Sequence, residues 1–185
     1  VKNFHLLDRI NVSEAVRQLD AHPELWNQHR HRKDAPGSPH NQMDDIWLRY
    51  RAFQELREPA DYLKPHFAEF YPAWHELPAI RTIVRRVFVS VPAVYLGGVL
   101  ITRIPPGGKI LPHHDRGGWH AETMNYKVYV PLKANPECVN RCEDESVVMK
   151  PGEVWTFDNL KVHSVENNGE TERVTLIISM RAERW

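Results

Sequence analysis

The chain is 185 residues long, enough for one domain whose core needs no crosslinks. Hydrophobic residues make up 42% and charged residues 26%, and Lys+Arg balance Asp+Glu at 24 each, which is the composition of an ordinary globular protein. That neutral balance gives no support for a broad grip on nucleic acid, and no apolar stretch is long enough to span a membrane: the longest, 87–104, is broken by Pro92, Gly97, Gly98 and Arg103.

In chain order, residues 1–94 read as helical, loop-rich support. The N-terminus lacks the charged-then-apolar pattern of a signal peptide. Asn11 or Ser13 is placed to cap a helix starting near Glu14, with Val16 and Leu19 on its apolar face. Residues 28–45 are polar and too long for a simple turn, so they form either a lid or an exposed loop. Ile46–Arg51 has the pattern of a strand, with Arg49 and Arg51 facing solvent or else meeting an acidic substrate. Helices are expected at 61–70, interrupted by Pro65, and at 78–87.

From Tyr95 the pattern turns to β. Strands are expected near 95–104, 109–112, 124–131, 145–149, 153–157, 161–166 and 173–181, separated by turns such as Pro105-Pro106-Gly107-Gly108, Pro151-Gly152 and Asn167-Asn168-Gly169. This spacing suits a small antiparallel barrel or jelly roll with helices outside and a mouth able to hold a metal or small ligand. No linker separates the halves, so 1–185 is expected as one domain with its core at 95–181. Cys138 and Cys142 are too few for a disulfide framework and too few for a zinc site; unpaired thiols in a polar hairpin, in a cytoplasmic protein, are the expectation.

The 11 histidines are more than a chain of this size usually carries. His113 and Asp115 lie one residue apart at the end of a short strand, where positions i and i+2 share a face. His163 follows 50 residues later in another expected strand. Two imidazoles and a carboxylate on one face of an iron leave three positions open for a co-substrate and oxygen. A lone His-x-Asp is weak evidence, since 11 His and 9 Asp give roughly half an occurrence by chance. Ten residues after His163 comes Arg173, then Thr175, within the apolar run Val174–Met180. A buried arginine there needs a fixed anion, and a guanidinium beside a hydroxyl suits the distal carboxylate of 2-oxoglutarate; an edge-strand arginine facing water is the alternative.

His113-x-Asp115, His163 and Arg173-x-Thr175, with 104–115, 125–132, 152–158, 163–167 and 173–179 around them, resemble the aspartyl/asparaginyl β-hydroxylase family. The resemblance covers residues 95–181. It implies a cupin-like double-stranded β-helix, Fe(II) as cofactor and 2-oxoglutarate as co-substrate. It further implies His113, Asp115 and His163 as metal ligands and Arg173 as co-substrate anchor. Thr102 falls where the family places a small hydroxyl that contacts 2-oxoglutarate. Where the family carries an Arg-x-His pair, this chain has Thr123-Met124-Asn125, and Asn125 or Lys127 is expected to substitute. The carboxylate at 115 argues against halogenation, which uses sites lacking it.

Other residues read more plainly. His114 faces away from the ligands by strand alternation. His120, beside Trp119, is expected as a solvated loop residue, with substrate contact the alternative. Asp158 is read as a strand-end residue orienting His163; oxygenases of this type need no carboxylate base. The expected reaction uses O2 to hydroxylate an aspartyl- or asparaginyl-type side chain in a protein or peptide. A free amino acid such as proline is the alternative substrate, and nucleic acid is disfavoured by the charge balance. A non-catalytic cupin-like binding protein is the competing class, against which Arg173-x-Thr175 speaks.

Overall fold

The computed structural model describes residues 2–183. The first half gives β1 (Phe4–Arg9), α1 (Ser13–Ala21), α2 (His31–Asp34), β2 (Asp44–Arg51), β3 (Ala68–Phe70), α3 (Ala73–Glu76) and α4 (Pro78–Ser90). The second half gives β4 (Ala93–Ile104), β5 (Lys109–His113), α5 (Trp119–Thr123), β6 (Tyr126–Lys133), β7 (Cys138–Cys142), β8 (Glu145–Val147), β9 (Glu153–Phe157), β10 (His163–Asn167) and β11 (Arg173–Ala182). These strands form a seven-stranded antiparallel sheet, ordered β1-β9-β6-β11-β4-β2-β3, and a four-stranded one, ordered β5-β10-β7-β8. This is the double-stranded β-helix, mainly β with flanking helices.

Alternation along β11 explains how the layers assemble. Val174, Leu176, Ile178 and Met180 join the outer faces of β4 and β6 in one core with Ala15 and Leu19 of α1 and Ile80, Ile83, Val84 and Val87 of α4. The intervening Arg173, Thr175, Ile177 and Ser179 turn into the barrel, and all four are buried. β11 is therefore covered on both faces, which is why its sequence reads as a continuous apolar run. Between the sheets, Phe4, Tyr129, Cys142, Met149, Phe157 and Ile177 form one cluster, and Met43, Ile104, Ile110, Cys138 and Val165 another.

The N-terminal half carries helices α1 to α4 and the strand expected at Ile46–Arg51, which lies within β2, but adds β1 and β3, which were not expected. It supplies three strands, β1, β2 and β3, to the larger sheet. The segment expected as a helix at 61–70 is a short 3-10 turn, Pro59–Leu63, followed by β3. Pro65 lacks an N–H and pushes Lys64 out of the helical region (Lys64 ψ 150°), so the chain extends there. α1 begins as expected, but Asn11 accepts from the Ser13 N–H at 2.9 Å and neither residue caps the helix by side chain. Cys138 and Cys142 are free and lie in a hairpin, as expected, on its β7 arm paired with β8, but both are buried.

Candidate metal centre

β5 and β10 pair so that His113 lies opposite His163. Their rings approach to 4.3 Å between centroids. Each Nδ1 lies against a backbone carbonyl, Leu111 O at 2.8 Å for His113 and Lys161 O at 2.9 Å for His163. A carbonyl only accepts, so each Nδ1 carries the proton and each Nε2 keeps a free lone pair. Both lone pairs face the same atom, Asp115 Oδ1, at 3.5 and 4.0 Å. The ligand atoms of His113, Asp115 and His163 all lie within 4.8 Å of one another, close enough for one cation. Burial, set against the nearby Asp115 charge, pushes His163 down to about 4, so it is a neutral donor at pH 7.

The other carboxylate oxygen of Asp115 is held from outside. Lys127 Nζ and Asn159 Nδ2, the latter at 3.0 Å, both donate to Oδ2, and the Asp115 N–H donates to Asn159 O at 3.0 Å. Burial opposes ionisation of Asp115, but the Lys127 ammonium beside it outweighs that cost and holds the carboxyl well below the usual range. Lys127 was expected beside the co-substrate; its partner here is Asp115. Asn159, buried on the turn after β9, escaped the sequence reading because a lone asparagine carries no motif.

A cavity of about 300 Å³ opens beside these residues, lined by Trp47, Leu100, Met124, Tyr129, Ile177 and Ser179 among others. Arg173 and Thr175 continue the inner face of β11 past Ile177 and Ser179. Arg173 is 1% exposed; Nη2 donates to Asn140 Oδ1 at 2.9 Å, while Nη1 is buried without a hydrogen-bond partner. Thr175 Oγ1 is also buried without a partner. Orphaned donors of this kind cost free energy unless an anion meets them, so this pair fits the far carboxylate of 2-oxoglutarate. The preset imidazoles and carboxylate fit Fe(II).

The other expected contacts lie elsewhere. Thr102 is fully buried and its hydroxyl donates to Asp45 Oδ1 at 2.8 Å. Asn125 spends its amide on the backbone of Ala182, at 3.2 and 2.9 Å, away from the cavity lining. His120 lines the cavity and is half-buried, with its ring against Tyr50 (4.9 Å) and stacked on His66 (5.4 Å), which corrects its expected place in solvent. Gly98 makes room for it, since a Cβ there would lie 3.1 Å from His120 Nε2 and 3.2 Å from the Tyr50 ring. His114, just past the end of β5, is exposed and borders the same cavity as His113 and Asp115. Asp158 is exposed and accepts from the Leu160 N–H, so the Lys161 carbonyl, and not Asp158, orients His163. Arg49 and Arg51 do not face solvent. Arg49 lies over the Phe70 ring and donates to Leu96 O, and Arg51 is 5% exposed with Pro65 O as one acceptor.

A double-stranded β-helix with two histidines and a carboxylate at its open end is the arrangement of the Fe(II)- and 2-oxoglutarate-dependent oxygenases. The profile of the aspartyl/asparaginyl beta-hydroxylase family matches residues 14–183, and the chain belongs to that family of oxygenases. Solved structures support the fold. A prolyl hydroxylase from Trichoplax adhaerens, in complex with a hypoxia inducible factor oxygen degradation domain peptide fragment, aligns with a TM-score of 0.63 at 10% identity, covering 97% of this chain and 84% of that one. The viral collagen prolyl hydroxylase of Paramecium bursaria Chlorella virus-1, solved with 2-oxoglutarate, gives 0.56 at 14% identity over 98% and 97%. L-proline cis-3-hydroxylase 2 from a Streptomyces species is 31% identical over 70 residues, which is 37% of this chain. The match spans about a quarter (24%) of that curated relative. No helix among the described residues is long and apolar enough to cross a membrane.

Proposed function

We propose that this chain is an Fe(II)- and 2-oxoglutarate-dependent dioxygenase that hydroxylates an amino-acid side chain. The iron is held by Nε2 of His113, Nε2 of His163 and Oδ1 of Asp115, and the far carboxylate of 2-oxoglutarate is held by Arg173 and Thr175. One observation carries this reading: three ligand atoms lie within 4.8 Å of one another, two of them, on His113 and Asp115, border a cavity, and the inner wall of that cavity leads to a buried guanidinium with an unused N–H. The reading takes the chain as one domain, because a single core cluster runs from Val12 to Met180.

Bound together, the metal and co-substrate supply the oxidising chemistry, in which O2 converts 2-oxoglutarate to succinate and CO2 and leaves one oxygen atom in a substrate C–H bond. The chain's own residues bind and orient. The Leu111 and Lys161 carbonyls hold both imidazoles in the tautomer that frees Nε2. Lys127 and Asn159 occupy Asp115 Oδ2 and leave Oδ1 for the metal. Trp47, Leu100, Met124 and Ile177 give the cavity an apolar stretch of wall beside its charged groups.

An aspartyl- or asparaginyl-type side chain in a protein or peptide is supported by the family to which the chain belongs. A free amino acid such as proline is supported by the Streptomyces relative and by a cavity near the small end of small-molecule sites. Anaerobic addition of Fe(II) and 2-oxoglutarate should give a visible charge-transfer band that requires both; its absence would favour a binding protein. His163→Ala should abolish succinate formation, and full activity in that variant would overturn the assignment.

A further inference from the structure

We propose that Arg32, assisted by His40, anchors a carboxylate of the substrate, so that the substrate is an amino-acid unit with a free carboxylate. The proposal rests on the oxygenase reading above and extends it to the segment 28–45. That segment is tied down over the open end of the barrel. The Leu111 N–H donates to Pro39 O at 3.0 Å, the Lys109 N–H to Gln42 Oε1 at 3.1 Å, and Lys33 Nζ to Asp44 Oδ1 at 2.7 Å. The result brings His40 edge-on against His113, 4.7 Å between centroids, and both Arg32 and His40 line the cavity.

The guanidinium of Arg32 is positioned but underused. An arginine carries five N–H donors. Nη2 has a thioether, Met43 Sδ at 3.1 Å, and a neutral ring nitrogen, His40 Nδ1 at 3.2 Å. Nε is buried with no hydrogen-bond partner, and the nearest carboxylate oxygen, Asp45 Oδ2, stands off at 3.8 Å. Asp45 is itself buried and takes the Thr102 hydroxyl, so it fixes the guanidinium in place without pairing with it fork to fork. Arginine only donates, so His40 Nδ1 accepts and the neutral ring carries its proton on Nε2, a further donor on a residue lining the cavity.

The charge balance points the same way. Lys127 is committed to Asp115, and Arg116 donates through Nε to Leu160 O at 2.8 Å. With a divalent ion on Asp115 and the co-substrate dianion against Arg173, the charges of Lys127, Arg32 and Asp45 leave the site cationic by one, before Arg116 is counted. Asp115 and Asp45 are already engaged, so an anionic group on the substrate meets no free carboxylate there. The α-carboxylate of a free amino acid and the side-chain carboxylate of an aspartyl residue supply the same chemistry.

The test uses the full chain loaded with Fe(II) and 2-oxoglutarate and measures substrate-stimulated succinate. The probes are the free L-amino acids, their α-carboxamides, and N-acetyl aspartyl and glutamyl amides beside their asparaginyl and glutaminyl counterparts. Every stimulating compound should carry a carboxylate, and its amide should lose roughly tenfold or more in kcat/KM. A free amino acid as best stimulator identifies the α-carboxylate, and a capped aspartyl compound the side chain. Arg32→Met should raise KM for that compound roughly 10- to 100-fold with a smaller change in kcat, and Arg32→Lys should recover part of the loss. The thermal midpoint and the charge-transfer band should stay, which a merely structural strap would not predict. Equal stimulation by an amide, no stimulation by any carboxylate-bearing compound, or an unchanged KM in Arg32→Met overturns the proposal. If Arg32→Met fails to fold, the acid-against-amide comparison on the unaltered chain decides. A missing band in the unaltered chain instead removes the oxygenase reading itself.

Discussion

The two faces of β11 belong to one strand and do opposite work. Toward the helices, Val174, Leu176, Ile178 and Met180 join one hydrophobic core, and all are buried to 0% exposure. Toward the barrel, Arg173 and Thr175 are equally buried but carry polar atoms without partners. The outer face lowers the free energy of folding; the inner face gives some of it up to keep an anion site ready. The contrast separates substitutions that cost stability from those that cost chemistry.

The largest effect belongs to the outer face. Leu176→Ala removes a fully buried side chain between the sheet and its helices and should cost about 2–5 kcal/mol in denaturant unfolding. The KM for 2-oxoglutarate should stay as it was in whatever fraction remains folded. A rise in that KM would break the comparison, because it would mean that the outer face also shapes the cavity. On the inner face, Arg173→Met should raise KM for 2-oxoglutarate roughly 100-fold and weaken the charge-transfer band. Its unfolding midpoint should hold or rise, since an apolar side chain of similar volume removes an unsatisfied buried charge. A large loss of stability with normal co-substrate binding would show Arg173 to be structural.

How much of this was legible in the sequence follows from the same contrast. β11 was visible through its apolar run, and Arg173 stood out because a cation inside such a run needs a reason. His113 and Asp115 were visible because i, i+2 spacing survives in any extended strand. Partners fixed by turns and pairings were not visible. Asn159 reaches Asp115 from a turn 44 residues away, and Asn140 reaches Arg173 from the β7 arm of a hairpin 33 residues away. Lys127 was picked out, yet its pairing with Asp115 depends on where α5 and β6 bring the chain back. In the first half, β1 and β3 are edge strands of the larger sheet. Both faces of these strands are largely exposed, with only Phe4 buried among their residues, so their sequences carry little alternation for pattern to detect.

A smaller effect tests the support behind Asp115. Asn159→Leu removes one of the two donors on Oδ2 while keeping the branched shape of the side chain. Metal affinity, followed by Co(II) titration of the metal-free protein, should fall roughly 10- to 100-fold. Unchanged affinity would mean that Lys127 alone holds the carboxylate.

The smallest effect concerns His120, which lies on the cavity wall yet contributes no proposed ligand. Burial, with His66 stacked beside it, pushes it down to about 3 from its ordinary 6.5. The unfolded chain therefore binds a proton as pH falls below about 6.5, while the folded chain declines it until about pH 3. The contribution of this group to stability is present above 6.5 and is lost as pH drops through that window. His120→Phe keeps a ring against Tyr50 and cannot take the proton. Urea midpoints of the metal-free protein, measured from pH 7 downward, should fall less steeply in the variant. Metal-free protein is needed because a bound ion would add its own pH dependence through His113 and His163. Equal slopes would mean that His120 titrates as it does in water, and the cavity wall beside Tyr50 would then be open to solvent.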